Sequence, residues 1–162
     1  MPPLEMAKQS YRDDLLQAYE AEIAGEAYFK ALARVFSEPD HQEKLMLLAE
    51  VEQRTWKSLR RLISRHGLKP RDDTALAIRG VNWAEERAFQ RWKDLMENMT
   101  TCYPGFIEKF KALHATGPDE DKDALQALVD HEVALLSFAE REVTGDTDSL
   151  SMVREYLAVA GA

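Results

Sequence analysis

Glutamate residues stand inside the apolar stripes of three amphipathic stretches, and this pattern limits the possible folds more than any other feature. Members of each stripe follow one another at three or four residues, so they share one face of a helix. The stripes read Leu15, Tyr19, Glu22, Glu26, Phe29, Ala33; Leu45, Leu48, Glu52, Thr55, Leu59, Leu62; and Leu125, Leu128, Glu132, Leu135, Leu136, Ala139. Burial of a lone carboxylate is costly unless it is paired, protonated or bound to a metal. Several such residues in one bundle therefore predict a compensating group, of which a metal centre is the most specific.

The composition favours a single all-α domain over residues 1–162. A chain of 162 residues, of which 45% are hydrophobic, is long enough to bury a real core. Its seven glycines and six prolines are few, and most lie between the periodic stretches. Helical periods separated by such residues are typical of a helical bundle.

Charge and targeting signals narrow the partners and the compartment. The net charge of −8 argues against nucleic acid, because phosphate binding needs a concentrated basic face. Residues 1–9 lack the apolar centre of a signal peptide, and no stretch approaches the roughly 20 apolar residues that span a bilayer. The one cysteine, Cys102, allows no internal disulfide and suits a reducing compartment. We therefore expect a cytoplasmic protein without a nucleic-acid or membrane partner.

Four long helices and a short fifth one are predicted. They cover residues 11–36, 40–66, 82–110, 119–143 and 149–159, after an N-terminal tail at residues 1–10. Asp40 is expected to cap the second helix, and Gly67 and Gly145 are expected to end the second and the fourth. Pro104 and Gly105 fall inside the third helical pattern, where they predict a kink or break.

The lengths of the connections predict the topology. Short turns join the first helix to the second and the third to the fourth, so each pair forms an antiparallel hairpin. Residues 67–81 show no clear helical period, and a connection of that length can run along the whole bundle. Four helices with one long crossover form the ferritin-like arrangement. We therefore predict a ferritin-like four-helix bundle with a short C-terminal fifth helix.

Three short motifs carry a resemblance to a known family. They are Ala24-Gly25-Glu26 followed by Tyr28 and Phe29, the segment Leu48-Ala49-Glu50-Val51-Glu52-Gln53-Arg54-Thr55, and His131-Glu132. With these motifs the chain resembles the ferritin-like superfamily, and its rubrerythrin branch most closely. The resemblance implies a non-haem centre of two Fe or Mn ions, held by Glu and Glu-x-x-His residues, and an oxidoreductase that uses oxygen or peroxide. The substrate stays open between iron, peroxide and a small organic molecule.

Two positions depart from that family's pattern. Thr55 and Leu135 stand where the family places its histidines, and His131 precedes Glu132 instead of following it by three residues. The candidate metal ligands are Glu22, Glu26, Glu52, Glu85, His131 and Glu132. Carboxylate-rich ligation of this kind suits Mn or Fe better than Zn.

Two of these assignments leave a choice open. Glu22 and Glu26 are alternatives for the ligand from the first helix, since Glu22 lies nearer the edge of the stripe and Glu26 can pair with Lys30. Glu85 and Glu86 are the alternatives from the third helix, and Glu85 is the better candidate because it shares a stripe with Phe89 and Trp92.

Two alternative functions follow from the same residues. In the first, the bundle is a degenerate relative without a metal, whose carboxylates are protonated or satisfied by Thr55, His131, Tyr19 and water. Such a protein would act as a structural or interaction module, associating as a homodimer through a helix face. In the second, the chain is a generic helical adaptor whose glutamates face solvent.

Overall fold

Helices make up nearly all of the computed structural model, which describes residues 2–87 and 91–160. They are α1 (Pro3–Val35), α2 (Pro39–Arg65), α3 (Asp73–Arg87), α4 (Trp92–Thr116), α5 (Lys122–Thr144) and α6 (Ser151–Ala160), with a short 3₁₀ turn at Asp119–Asp121. The described ranges contain no strand, so the predicted all-α class is confirmed. None of the helices in these ranges has the length and apolarity needed to cross a membrane.

The first helix begins earlier than the sequence pattern predicted. Residues 3–10, predicted as part of a tail, form the first turns of α1, and Pro3 occupies an initial position where its missing N–H costs nothing. All of these residues are exposed. Because no apolar stripe marks an exposed segment, periodicity could not reveal this extension.

The connection after α2 contains a helix that the pattern missed. Residues 67–81 were expected to lack helical structure, but α3 begins at Asp73. Its buried residues, Leu76, Gly80 and Ala84, recur every four positions, and two of them are too small to produce a clear apolar signal. The predicted start of helix three at residue 82 is therefore wrong, since residues 82–87 end α3 and α4 begins at Trp92. Residues 88–90 of that predicted helix lie outside the described residues.

Two other predicted local features differ in the structure. Helix α4 continues through Pro104 and Gly105 without a break. Both residues are exposed, so water can hydrate the carbonyl that loses its partner to proline. Glu38 is the N-cap of α2 and Asp40 lies in its first turn, whereas the predicted helix ends at Gly67 and Gly145 are confirmed by positive φ angles of 60° and 76°.

The long helices pack as two hairpins, α1 with α2 and α4 with α5, with α6 against α2 and α5. Helix α3 lies along α1 and runs in the same direction, since Arg71 donates its backbone N–H to Glu20 while Gly80 abuts Ala24. Trp92 then begins α4 beside His41 and Glu142, at the far end of the bundle. The connection from α2 to α4 therefore travels the length of the bundle.

A buried carboxylate at the other end ties three elements together. Asp121 is fully buried and accepts hydrogen bonds from the Tyr11 hydroxyl at 2.5 Å, from His66 Nε2 at 2.7 Å and from Arg65. Burial alone would raise the pKa of Asp121, but these three donors lower it below its ordinary value. The ionised carboxylate thus joins α1 and the end of α2 to the start of α5.

We expect Asp121→Asn to lower the free energy of unfolding at pH 7 by about 2 to 3 kcal/mol, because it breaks a buried charge network. The folded-state pKa lies below the unfolded value of about 4, so the contribution is present above that pH and is lost as pH falls toward the folded pKa. The difference from wild type should therefore shrink at about pH 3 in urea denaturation. Exposed Asp123→Asn is the control and should change little. A difference that did not vary with pH would contradict an ionised role for Asp121.

Candidate metal centre

Four buried polar side chains meet in the middle of the bundle. Glu22 comes from α1, Glu52 from α2, and His131 and Glu132 from α5, with exposed fractions of 3%, 5%, 0% and 6%. On each of these helices they separate two apolar clusters, one around Phe29, Leu48 and Leu135 and the other around Leu15, Leu59 and Leu125. The carboxylates are therefore held inside the core and not at its edge.

Three of the four side chains are close enough to share one cation, and the fourth, Glu132, adjoins them. His131 Nε2 lies 2.8 Å from Glu22 Oε2, 3.4 Å from Glu132 Oε1 and 3.6 Å from Glu52 Oε2. One donor atom from each of Glu22, Glu52 and His131 lies within 4.8 Å of the other two. Such a set of oxygen and imidazole donors is chemically suited to a transition-metal ion.

Several atoms of this cluster have no hydrogen-bond partner among the described residues. They are Glu22 Oε2, Glu52 Oε2, Glu132 Oε2 and His131 Nε2. His131 Nε2 and Glu22 Oε2 nevertheless lie 2.8 Å apart, a distance at which a protonated imidazole ring would donate to the carboxylate. Buried polar atoms are almost always satisfied in folded proteins, so four such atoms at one place point to added protons, water or a bound ion.

The tautomer of His131 is set by the backbone. Its Nδ1 is hydrogen-bonded to the carbonyl oxygen of Leu128, which can only accept. Nδ1 therefore carries a proton, and in the neutral ring the lone pair of Nε2 faces the carboxylates. This is the arrangement usual for a metal-ligating histidine, whose other nitrogen donates to a backbone carbonyl or carboxylate.

The cluster is electrostatically strained in the absence of a cation. Burial, and then the neighbouring Glu22, raise the pKa of Glu52 well above its ordinary value. Burial also raises the pKa of Glu132, against the opposing effect of His131. Burial alone would lower the pKa of His131, but the carboxylates of Glu22 and Glu132 raise it well above the usual range. Each shift favours adding positive charge, as protons or as a metal ion.

Gly25 leaves the space that the Glu52 carboxyl group fills. A Cβ atom at this position would lie 3.0 Å from Glu52 Cδ and 3.1 Å from its Oε1. In the motif Ala24-Gly25-Glu26, the glycine therefore makes room for the carboxylate of Glu52 on the facing helix. It allows α1 to approach α2 closely at the level of the cluster.

Two of the six predicted ligands lie outside the cluster. Glu26 accepts hydrogen bonds from Gln53 at 3.1 Å and from Lys30 at 3.4 Å, so it forms the ordinary ion pair that its spacing allowed. Glu22, predicted nearer the edge of the stripe, is the residue of α1 that faces the cluster. Glu85 is exposed on α3 and does not share a helix with Trp92, while Phe89 lies outside the described residues.

The two positions where the family places its histidines contribute nothing to the cluster. The Thr55 hydroxyl donates to the Val51 carbonyl at 2.7 Å, so at the 2.5 Å contact between Thr55 and Tyr156 the phenol must be the donor. This bond attaches α6 to α2. Leu135 is fully buried in the apolar core.

A cavity of about 470 Å³ reaches from the carboxylates toward the surface, and it was not predicted. Its lining includes Glu22, Glu52 and Glu132 together with Tyr28 and Tyr103. Burial, followed by the charge of Glu132, raises the pKa of Tyr103 well above its ordinary value, which places this phenol within the field of the cluster. Tyr103 lies one helical turn after Met99, so an extended α4 stripe would have included it.

The chain matches no family model, no curated protein and no solved structure. The donor set, its burial and its unpartnered atoms are therefore the observations from which a function can be argued. Residues close enough to hold one metal ion together are Glu22, Glu52 and His131, and Glu132 adjoins them through His131.

Proposed function

We propose that this chain is a ferritin-like metal protein in which Glu22, Glu52, His131 and Glu132 hold an Fe or Mn centre of two ions. The observation that carries the proposal is the convergence of buried donor atoms from Glu22, Glu52 and His131 within 4.8 Å of one another, with Glu132 Oε1 3.4 Å from the same imidazole nitrogen. Three carboxylates and one imidazole form an oxygen-rich set, which suits Mn and Fe better than Zn. The three carboxylates carry three negative charges, which one divalent ion does not neutralise and two ions exceed. The number of ions bound per chain is therefore a direct test of the proposal.

The path of the chain supports the ferritin-like part of the proposal. Because the connection through α3 runs the length of the bundle, α2 and α4 point in the same direction within a pair of antiparallel hairpins. One long crossover between two hairpins is the connectivity of ferritin-like bundles. The cluster lies at the centre of this bundle, where such proteins build metal sites from facing helices.

The proposed chemistry is oxygen- or peroxide-linked oxidation and reduction. When bound, Fe or Mn would supply electron transfer and coordination positions for the oxidant. The chain's own residues have defined tasks: Glu22, Glu52 and Glu132 neutralise the ions, and the bond from His131 Nδ1 to Leu128 fixes the orientation of the ring. The adjoining cavity gives small molecules access to the carboxylates.

Elemental analysis tests this proposal directly. We expect protein purified without a histidine tag from iron- and manganese-supplemented medium to carry about two equivalents of Fe or Mn per chain, because two divalent ions more than neutralise three buried carboxylates. About one equivalent would reduce the centre to a single ion. Less than about a tenth of an equivalent, persisting after anaerobic loading with Fe²⁺ or Mn²⁺, would overturn it.

A metal-free bundle is the second candidate, and one observation favours it. The raised pKa values of His131, Glu52 and Glu132 allow protons to provide the positive charge, as an imidazolium beside neutral carboxyl groups. The chain would then act as a structural or interaction module. Metal content separates the two candidates.

A further inference from the structure

The cavity beside the cluster has the dimensions and access of a small-molecule site. It lies between α1, α3 and α4, and its volume of about 470 Å³ falls in the range of about 300 to 1,000 Å³ typical of ligand pockets. Its rim includes Trp83 and Phe106, which are 37% and 45% exposed, and the exposed Cys102. Its floor is formed by Glu22, Glu52 and Glu132. A molecule that entered it would approach the donor atoms directly.

Six of the sixteen residues that line this cavity are aromatic. The aromatic lining residues are Tyr28, Phe29, Trp83, Tyr103, Phe106 and Phe110. Aromatic rings pack against one another in offset or edge-to-face geometry with a favourable free energy beyond that of buried area. The volume of this cavity is about three times the roughly 150 Å³ of an apolar cavity that admits benzene, so it is sufficient for a molecule of two fused rings.

The charges around the cavity favour a neutral occupant. Bound metal ions would largely offset the charge of the three carboxylates at the floor, so the floor does not strongly favour an anion, and a cation would compete with the metal. At other points of the lining, Glu86 and Arg87 offer opposite charges, so they favour neither sign.

We propose that this cavity binds a neutral aromatic molecule of about two-ring size, and that this molecule is the organic substrate of the metal centre. The assignment as substrate rests on the proposed function, whereas the binding itself rests on the cavity. Its flat face packs between the aromatic walls, and its inner edge lies against the carboxylate floor.

The direct test is a calorimetric titration of the metal-loaded protein with 2-naphthol. We expect saturable binding of about one molecule per chain. In the Mn²⁺-loaded protein, the proton resonances of bound 2-naphthol should broaden strongly because the ion is paramagnetic and adjacent, and Mg²⁺-loaded protein should not broaden them. Metal content is measured on the same samples.

A matched pair of variants assigns the binding to this cavity. Ala21 lines it and Ala27 lies on the same helix outside the lining, so Ala21→Phe should weaken 2-naphthol binding at least about tenfold and Ala27→Phe should not. Alkylation of Cys102 with N-phenylmaleimide tests the same point in the unmutated chain. It should block entry at the rim without loss of metal.

The outcomes separate this inference from the proposed function. Full metal content without 2-naphthol binding would overturn the inference but would not contradict the proposed metal centre. Binding by protein that takes up no metal would overturn the assignment as substrate together with the proposed function. Binding of 2-naphthoate as tight as that of 2-naphthol would overturn the neutral class, since the occupant would then be an aryl acid held by Arg87.

Discussion

Replacing Glu52 by leucine is expected to abolish metal binding and, in the metal-free protein, to raise the free energy of unfolding by about 1 to 4 kcal/mol. Glu52 is 5% exposed, its Oε2 has no partner in the described part of the chain, and burial raises its pKa. A leucine of similar volume removes the desolvation cost and the repulsion from Glu22. The same change takes away a carboxylate ligand that a bound ion would need.

Elemental analysis and urea denaturation of metal-free samples measure the two effects. Glu26→Leu is the matched control, because Glu26 lies one turn from Glu22 but pairs with Gln53 and Lys30 outside the cluster. That control should keep its metal and change stability by less than about 1 kcal/mol. Unchanged metal in Glu52→Leu would remove Glu52 from the centre. If Glu52→Leu is more stable than wild type and neither of the two proteins contains metal, the result would instead favour the metal-free bundle.

Replacing Gly80 by alanine is expected to lower the free energy of unfolding by about 3 kcal/mol or more. A Cβ atom on Gly80 would lie 2.0 Å from the carbonyl oxygen of Ala24 and 2.9 Å from the backbone nitrogen of Tyr28. Both atoms belong to the backbone of α1, which cannot move aside as a side chain can. Helix α3 would have to separate from α1, which would expose the apolar surface now buried between them.

Thermal and urea unfolding measure this loss, and Gly105→Ala provides the control. Gly105 also lies inside a helix, but a Cβ atom there would meet nothing within 4 Å. The general preference of helices for alanine should therefore stabilise that variant by about 0.5 to 1 kcal/mol. Gly80→Ala should retain its metal, since α3 supplies no ligand. Equal stability of the two variants would show that α3 does not pack as closely as the structure has it.

Much of the fold could be predicted from periodicity, because the residues of α1, α2 and α5 that face the core are large. Large apolar residues at every third or fourth position identified these helices, mainly leucine in α2 and α5, and the glycines after α2 and α5 identified their ends. Helix α3 could not be found in the same way. Its contact with α1 depends on Gly80 and Ala84, whose small side chains carry little hydropathy signal but permit close approach.

The candidate site could be predicted only as far as helix faces allow. Period alone placed Glu52 and Glu132 inside the bundle, and both are buried. It could not choose between Glu22 and Glu26, because they lie about 40° apart around the helix and the tilt of α1 decides which one faces the other hairpin. Glu85 was misplaced because the boundary between α3 and α4 was misplaced.

The contact that Thr55 makes could not be predicted from a local sequence pattern. Its neighbour in space is Tyr156, more than a hundred positions further along the chain. Only the packing of α6 against α2 brings the two hydroxyl groups together. The sequence could therefore not show which side chain Thr55 contacts.

The location of the cluster has a consequence for the lifetime of the native state. Glu22 and Glu52 belong to one hairpin and His131 and Glu132 to the other, and packing within each hairpin is more extensive than packing between them. An ion bound by all four residues would connect the two halves at their weakest junction. The halves could then part only after metal–ligand bonds had broken. The metal would therefore govern how slowly the bundle opens, and with it the persistence of the fold against proteases and heat.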